Sequence, residues 1–242
     1  MKRILPFLLI LAVLGAALGS AWYLTRTIPA SSTPGGNPTP AGQPSSASSG
    51  LQGATTQPVA NRGVQGAEPP HTLGPASAPA QLEEFGDFQC PPCGVFHPIL
   101  EKMEEEFGDK LRVTFRQFPL VPAHRHALIA ASASEAAGLQ GKFWQMHKMI
   151  FDHQKDWKDA FDSRPIFEGY AKEIGLDIER YKRDIESDPV AQRIFLDGKR
   201  GYSLGVKGTP TVFLNGREVP FESLIQADKL RVLIQKEIDS KK

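Results

Sequence analysis

Two stretches of the chain alternate apolar and polar residues, and a stretch with helical spacing separates them. Apolar side chains fall at alternate positions within residues 80–85 and again within residues 111–118, which predicts two strands that each bury one face. The intervening stretch carries an apolar stripe at helical spacing, made by Ile99, Leu100, Met103 and Phe107. This β-α-β order favours two parallel strands joined by a crossover helix.

Helical patterns then fill the chain from about residue 122 to residue 205. They begin with an alanine-rich stretch of high helix propensity. Residues 211–214 predict a further strand, Asn215-Gly216 a two-residue hairpin turn, and residues 218–220 a returning strand. Residues 224–238 predict a closing helix. The predicted fold is therefore α/β, in the order β-α-β, an all-helical insertion, and β-β-α.

The N-terminal residues form a long apolar run without charge. Lys2 and Arg3 precede an uncharged stretch from residue 4 to residue 25, which is long enough to cross a bilayer as a helix. We therefore predict a transmembrane anchor or a signal sequence over residues 1–26, and the small residues at positions 17, 19 and 21 offer a cleavage site. In either case we expect the rest of the chain on the extracytoplasmic side, periplasmic or extracellular, where disulfides persist.

Residues 27–70 have a different composition, dominated by Ser, Thr, Pro, Gly, Ala and Gln. Arg62 and Glu68 carry the only charges of this segment. Such a segment has too little apolar surface to build a core, so we predict a flexible linker. The folded domain is then predicted to occupy residues 71–242, with the helical insertion at about 122–205.

Charge and cysteine content narrow the possible functions. The formal net charge of the 242 residues is +1, which gives no indication of a nucleic-acid partner. Cys90 and Cys93 are the only cysteines, too few for a disulfide scaffold or a four-cysteine zinc site. They lie at the predicted junction of a strand and a helix. There they can form a disulfide, bind a soft metal ion or carry out redox chemistry.

Four motifs together resemble the DsbA-like thiol-disulfide oxidoreductases, a family with the thioredoxin fold and a helical insertion. They are residues 85–93 with the Cys-Pro-Pro-Cys sequence, residues 118–120 with His124 shortly after, residues 138–144, and Gly208-Thr209-Pro210-Thr211. The resemblance covers roughly residues 73–242. It implies an enzyme that exchanges disulfides with thiol-containing proteins and needs no cofactor.

The resemblance also implies roles for the residues around the cysteines. Cys90 is expected to be the exposed nucleophile, because a position at the start of a helix favours the thiolate. Cys93 is expected to be more buried and to resolve the mixed disulfide. Pro91 and Pro92 are expected at the substrate-binding surface. Since Pro92 removes a backbone donor and many relatives carry an aromatic residue or histidine there, we predict a weaker oxidant than relatives with histidine.

Further site residues are predicted outside the helix start. The resemblance implies a buried acid at the end of this strand that exchanges protons with Cys93. Glu84 shares its strand face with Leu82, so we predict that Glu84, rather than its neighbour Glu83, points inward and takes this role. The resemblance implies a cis peptide bond between Thr209 and Pro210. Pro210 is then expected against the disulfide and the backbone of Thr209 against substrate. Phe88 is expected at the surface, in the substrate groove.

The function predicted from these features is disulfide formation in exported proteins by the Cys90–Cys93 pair. Its expected partners are exported peptides or proteins, a membrane redox protein that recycles the pair, and the membrane itself through the N-terminal helix; we expect a monomer. Two alternatives remain. One is a thiol reductase of the same fold. The other is a Cu(I) carrier of the cell envelope, for which His97 is the nearest third ligand in sequence, although we predict no metal site.

Overall fold

The computed structural model describes residues 63–241, and its centre is a five-stranded sheet of order β1-β3-β2-β4-β5. The strands are β1 (His71–Leu73), β2 (Ala80–Gly86), β3 (Leu111–Gln117), β4 (Thr211–Leu214) and β5 (Arg217–Glu218). β2 and β3 run parallel, as predicted, while the other neighbouring pairs are antiparallel.

Helices connect these strands in the predicted order. α1 (Pro91–Phe107) crosses from β2 to β3. The insertion between β3 and β4 contains α2 (Ala127–Gly138), α3 (Phe143–Asp152), α4 (Gln154–Trp157), α5 (Arg164–Glu173), α6 (Ile178–Asp184) and α7 (Asp188–Ser203). The chain closes with α8 (Phe221–Leu224) and α9 (Ala227–Asp239). This thioredoxin-like arrangement with a helical insertion is the predicted fold class.

The two faces of the sheet bury different sets of apolar side chains. The face toward α1 and α9 carries six buried residues from three strands: Ala80, Leu82, Leu111, Val113, Val212 and Leu214. Glu84 follows Leu82 by two positions and therefore lies on this same face. Phe85 and Phe213 point to the opposite face, where they pack with Phe118. The β2 strand thus brings one carboxyl group beneath the helix that begins at the cysteine pair.

Residues 63–70 belong to the folded domain, so the predicted linker extends too far toward the C-terminus. Ala67 is completely buried, and its backbone N–H donates to Asp197 Oδ1 at 2.8 Å. The backbone N–H of Val64 donates to the hydroxyl of Ser203 at 3.1 Å. Composition alone indicated a linker because the partners of this segment lie on α7, more than 100 residues later in the chain.

Among residues 63–241, no helix combines the length and the apolar character needed to span a bilayer. The anchor or signal sequence predicted for residues 1–26 lies outside the described residues, as does the part of the predicted linker from 27 to 62.

Candidate active site

Cys90 is the N-cap of α1, and the two prolines take the first two helical positions. The backbone of Cys90 is extended, with φ −66° and ψ 121°, and its N–H donates to the carbonyl oxygen of Asp87 at 3.1 Å. Proline fits these positions because the first N–H groups of a helix lack partners inside it. Pro91 is exposed and Pro92 is half-buried. Cys90 is only 4% exposed, so it is not the exposed residue that the resemblance implied, and Cys93 is completely buried one turn into the helix.

The loop before β4 meets the cysteine pair. The peptide bond between Thr209 and Pro210 is cis, as predicted, and Pro210 is buried. Neither cysteine is in a disulfide. The sulfur of Cys90 lies 3.2 Å from the carbonyl oxygen of Thr209, to which its protonated form donates. Residues 119 positions apart in sequence therefore form one site.

The two thiols have opposite acidity. The pKa of Cys90 is lowered to about 6, chiefly by a hydrogen bond from the Cys93 thiol. The backbone N–H of Cys93 also lowers this pKa, whereas burial raises it. Burial, with the charges of Cys90 and Glu84, raises the pKa of Cys93 well above its ordinary value. At neutral pH the outer sulfur is therefore a thiolate and the inner sulfur is a thiol.

Glu84 points inward, and Glu83 does not. Only 3% of Glu84 is exposed. Burial, followed by the charges of Glu104 and Cys90, raises the pKa of Glu84 to about 8. Glu83 lies on the opposite side of β2, where burial opposes ionisation, but Arg200 and Arg116 lower its pKa below the ordinary value. The alternation of the strand correctly distinguished these two adjacent acids.

Asp87 holds the turn that presents Cys90. Its side chain is 1% exposed; Oδ1 accepts from the backbone N–H of Gln89 at 2.7 Å, and Oδ2 accepts from the backbone N–H of Leu120 at 2.9 Å. Oδ2 also lies 2.7 Å from Nδ1 of His124. Asp87 therefore joins the cysteine turn to the loop after β3.

Gln154 is a site residue that the sequence analysis missed. Its Nε2 donates to the carbonyl oxygens of Phe88 at 2.7 Å and of Cys90 at 2.9 Å. These bonds tie the helical insertion to the backbone on both sides of Gln89. A single glutamine more than 60 residues after the cysteines carries no motif, so only the packing of α4 against α1 identifies it.

Phe88 is not at the surface, so the expectation that it lines a substrate groove is wrong. It is 1% exposed, and its ring packs against Phe151 at 4.7 Å and Phe115 at 5.3 Å between ring centroids. Its place two residues before Cys90 in the sequence suggested a surface position. Helix α3 of the insertion covers it instead.

His97 is not placed to bind a metal together with the thiols. Among residues 63–241, the His, Cys, Asp and Glu side chains close enough to share a metal ion are His97, Glu101 and Asp152, and neither cysteine belongs to this group. His97 therefore lies near Glu101 and Asp152 and cannot serve as a third ligand for Cu(I) beside the thiols.

Comparisons with known proteins agree with this geometry. A family model described as thioredoxin matches residues 67–236. The Na(+)/H(+) antiporter NhaA 1 of Mycolicibacterium vanbaalenii is 39% identical over 166 residues, which cover 66% of this chain and 26% of the antiporter. The Na(+)/H(+) antiporter NhaA of Herminiimonas arsenicoxydans is 37% identical over 149 residues, covering 62% of this chain and 23% of the antiporter. The chain therefore spans about a quarter of the length of these curated relatives.

Solved structures match the whole folded domain. BdbD from Bacillus subtilis is 25% identical, with a TM-score of 0.62 over 74% of this chain and 100% of BdbD. The alpha-DsbA1 protein of Wolbachia pipientis is 20% identical, with a TM-score of 0.61 over 73% of this chain and 94% of that protein, and this likeness is one of fold alone. With the family model, the paired thiols and the cis-proline loop in place, the chain belongs to the thioredoxin family.

Proposed function

We propose that the chain is a thiol-disulfide oxidoreductase that forms disulfides in exported proteins. In the forward reaction a substrate thiolate attacks the sulfur of Cys90 in the Cys90–Cys93 disulfide. That bond breaks, Cys93 leaves with the electron pair, and a mixed disulfide joins Cys90 to substrate. A second substrate thiolate then attacks the substrate sulfur, and Cys90 leaves as a thiolate. Substrate loses two electrons and the cysteine pair gains them.

The unequal acidity of the two thiols is the observation that carries this proposal. With a pKa of about 6, about nine-tenths of Cys90 is thiolate at pH 7, against about 3% for a free cysteine. A thiolate of low pKa is a good leaving group, so Cys90 is readily released from a mixed disulfide. Cys93, kept protonated by burial, stays out of solvent until the mixed disulfide forms beside it.

Glu84 is proposed as the proton carrier for Cys93. When Cys93 leaves the disulfide it needs a proton, and when it attacks a mixed disulfide it must lose one. The charge of Glu84 raises the pKa of Cys93, so the two groups interact electrostatically. A carboxyl with a pKa of about 8 exchanges protons near neutral pH, which is the property that general acid–base catalysis requires.

Substrate is proposed to bind at the loop of Thr209 and Pro210. The carbonyl oxygen of Thr209 contacts Cys90, so a peptide with its cysteine at Cys90 lies along this loop. Pro91, exposed beside the same sulfur, and half-buried Pro92 form the opposite wall. Phe88 does not belong to this surface, because it is buried.

The direction of electron flow depends on the stability of the reduced form. A more stable Cys90 thiolate makes the pair a stronger oxidant, and Pro92 supplies neither an N–H nor a cation to that sulfur. We propose an oxidase whose potential lies below about −120 mV, the strong-oxidant end of the range. A reductase is the second candidate with the same chemistry. Its Cys90–Cys93 pair would have a lower reduction potential and would be kept reduced in the cell.

Equilibration with glutathione buffers, followed by alkylation and mass measurement, tests the activity and its direction. We expect the full chain to oxidise reduced ribonuclease, and we expect Pro92→His to raise the potential. Cys90→Ser is the control and should abolish exchange. Activity that persists in Cys90→Ser would refute the enzyme proposal, while a potential at or above about −120 mV would refute the role of Pro92.

The location and partners of the domain are also proposals. The uncharged run over residues 4–25 supports export of the domain, either on a single membrane helix or after cleavage of a signal sequence. A membrane redox protein is the expected recycling partner. An alkaline phosphatase fusion after residue 70 tests the export: high phosphatase activity is expected, and an inactive fusion would contradict it.

A further inference from the structure

His97 is a buried histidine whose ring nitrogen Nε2 makes no hydrogen bond of ordinary geometry within residues 63–241. The residue lies on α1, one turn after Cys93, and is 6% exposed. Its ring stacks on Phe151, with centroids 5.0 Å apart and planes 22° apart, which fixes the direction of the ring. Within the part of the chain that the structure describes, Nε2 makes no hydrogen bond. A buried polar atom that makes no hydrogen bond is costly, so this nitrogen points to a ligand.

Two carboxylates face the same nitrogen at distances that are long for hydrogen bonds. Nε2 lies 3.4 Å from Asp152 Oδ1 and 3.6 Å from Glu101 Oε1, whereas N–H···O bonds in proteins measure about 2.7–3.2 Å. Tetrahedral zinc holds nitrogen and oxygen ligands at about 2.0–2.1 Å, which places neighbouring ligand atoms about 3.3–3.4 Å apart. The observed separations therefore fit two edges of a coordination tetrahedron better than they fit hydrogen bonds.

Lys148 already places a positive charge beside these carboxylates. Its Nζ lies 2.6 Å from Glu101 Oε1 and 3.1 Å from Asp152 Oδ2. The lysine side chain is 54% exposed, so its flexible stem can withdraw into solvent. The ammonium group holds the two acids together near a position that favours a cation, and it competes with any metal ion for the same oxygens.

We propose that His97, Glu101 and Asp152 form a binding site for a divalent transition-metal ion, with Zn²⁺ as the best fit. Imidazole nitrogen with carboxylate oxygens is a donor set that suits zinc. The ligand atoms already lie within 4.8 Å of one another. Three protein ligands leave a fourth position for water, as zinc commonly accepts.

The site joins two parts of the fold. His97 and Glu101 are one turn apart on α1, the helix that carries the cysteines, and Asp152 is the last residue of α3 in the helical insertion. A cavity of about 170 Å³ lies beside them, lined by groups that include Glu104 and His147. Bound metal would therefore link the insertion to the helix of the active site without touching the thiols.

Calorimetric titration with zinc chloride tests this site in the full chain. The background is the Cys90→Ser, Cys93→Ser double variant, which removes the thiolates as competing ligands. We expect one zinc ion per chain, and a loss of affinity of at least about tenfold for both Glu101→Gln and Asp152→Asn. Both acids are partly exposed, so these variants should fold, which circular dichroism verifies.

Lys148→Met is the decisive variant, because it removes the competing ammonium group and leaves all three ligands. We expect it to bind zinc more tightly than the background, and we expect Asp152→Asn to weaken binding in that variant too. His153→Ala is the matched control, since His153 forms an exposed pair with Asp156 at 3.2 Å outside the cluster. The absence of zinc binding in Lys148→Met, or equal binding in Asp152→Asn, would overturn the proposal.

Discussion

Replacement of Glu84 by glutamine should stabilise the protein while impairing its chemistry. The ordinary pKa of the carboxyl is 4.5, and burial with the charges of Glu104 and Cys90 raises it to about 8 in the folded chain. Between these pH values the folded protein binds more protons than the unfolded chain. The stability contributed by the protonated form is therefore fully present below pH 4.5 and is lost as the pH rises through 8.

The size of the effect follows from the same shift. At pH 7 the pH is about 2.5 units above the carboxyl pKa of 4.5 in the unfolded chain, so the unfolded carboxyl is ionised, while the folded carboxyl is still mostly protonated. Burial of Glu84 therefore lowers the free energy of unfolding by about 3 kcal/mol. At pH 4 both states are mostly protonated and the cost is close to zero. Glutamine fills the same space without the proton equilibrium. We expect Glu84→Gln to raise the free energy of unfolding by up to about 3 kcal/mol at pH 7.

Urea denaturation of the reduced protein at pH 4 and pH 7 measures this difference. The fluorescence of Trp157, which is completely buried, reports unfolding. Glu83→Gln is the matched control one residue away: its carboxylate is paired with Arg200 at 2.7 Å and with Arg116 at 2.9 Å, so its loss should destabilise. A gain for Glu84→Gln that is as large at pH 4 as at pH 7 would refute the reasoning.

The stability gain should be accompanied by slower chemistry. If Glu84 takes the proton of Cys93, Glu84→Gln slows the resolution of a mixed disulfide by about 10²-fold or more, the usual contribution of a general base. Quenched-flow alkylation of a mixed disulfide between Cys90 and a reporter thiol measures this step. An unchanged resolution rate would remove Glu84 from the mechanism while leaving its thermodynamic effect intact.

Three further outcomes are expected. The rate of Cys90 alkylation by iodoacetamide should rise with pH around a midpoint of about 6; a midpoint near that of a free thiol would contradict the proposed thiolate. Glu104→Gln should lower the pKa of Glu84, because the charge of Glu104 raises that pKa. The pH at which the stability is lost should therefore fall. Glu105→Gln changes an exposed neighbour and should leave that pH unchanged. Asp197→Ala should lower the free energy of unfolding by about 3–5 kcal/mol, because it removes one of the two close carboxylates of buried Arg116 and leaves the backbone N–H groups of Ala67 and Gln117 without their acceptor; a loss below about 1 kcal/mol in urea denaturation would contradict this.

The parts of the fold that the sequence predicted are those with a local period. Apolar residues alternate at residues 80–85 and 111–118, and they form a stripe on α1. Each pattern results from burial of one face, so it predicts both the type of element and the face that is buried. The inward position of Glu84 was predicted in this way, from its parity with Leu82. The cis bond before Pro210 was predicted from the family motif rather than from any period.

The parts that the sequence could not predict depend on distant partners. Ala67 is buried because Asp197, 130 residues away, accepts its N–H, and nothing in the local composition signals this. β1 has only three residues, too few to show alternation. Phe88 was assigned to the surface from its neighbours in sequence, whereas Phe151 of the insertion covers it. Local patterns thus identify elements, and contacts made by the insertion decide which side chains remain accessible.

The spacing of the cysteines explains how this site tolerates two prolines. An N-cap side chain accepts hydrogen bonds from the second or third helical residue. Pro92 removes the donor at the second position, and Cys93, the third residue, keeps the remaining one; its N–H and its thiol both lower the pKa of Cys90. The Cys93 thiol can donate only when the pair is reduced, so this hydrogen bond stabilises the reduced form of the pair. We therefore expect the stability of the Cys90 thiolate to depend mainly on Cys93, and Pro92 to reduce it by the loss of a single donor.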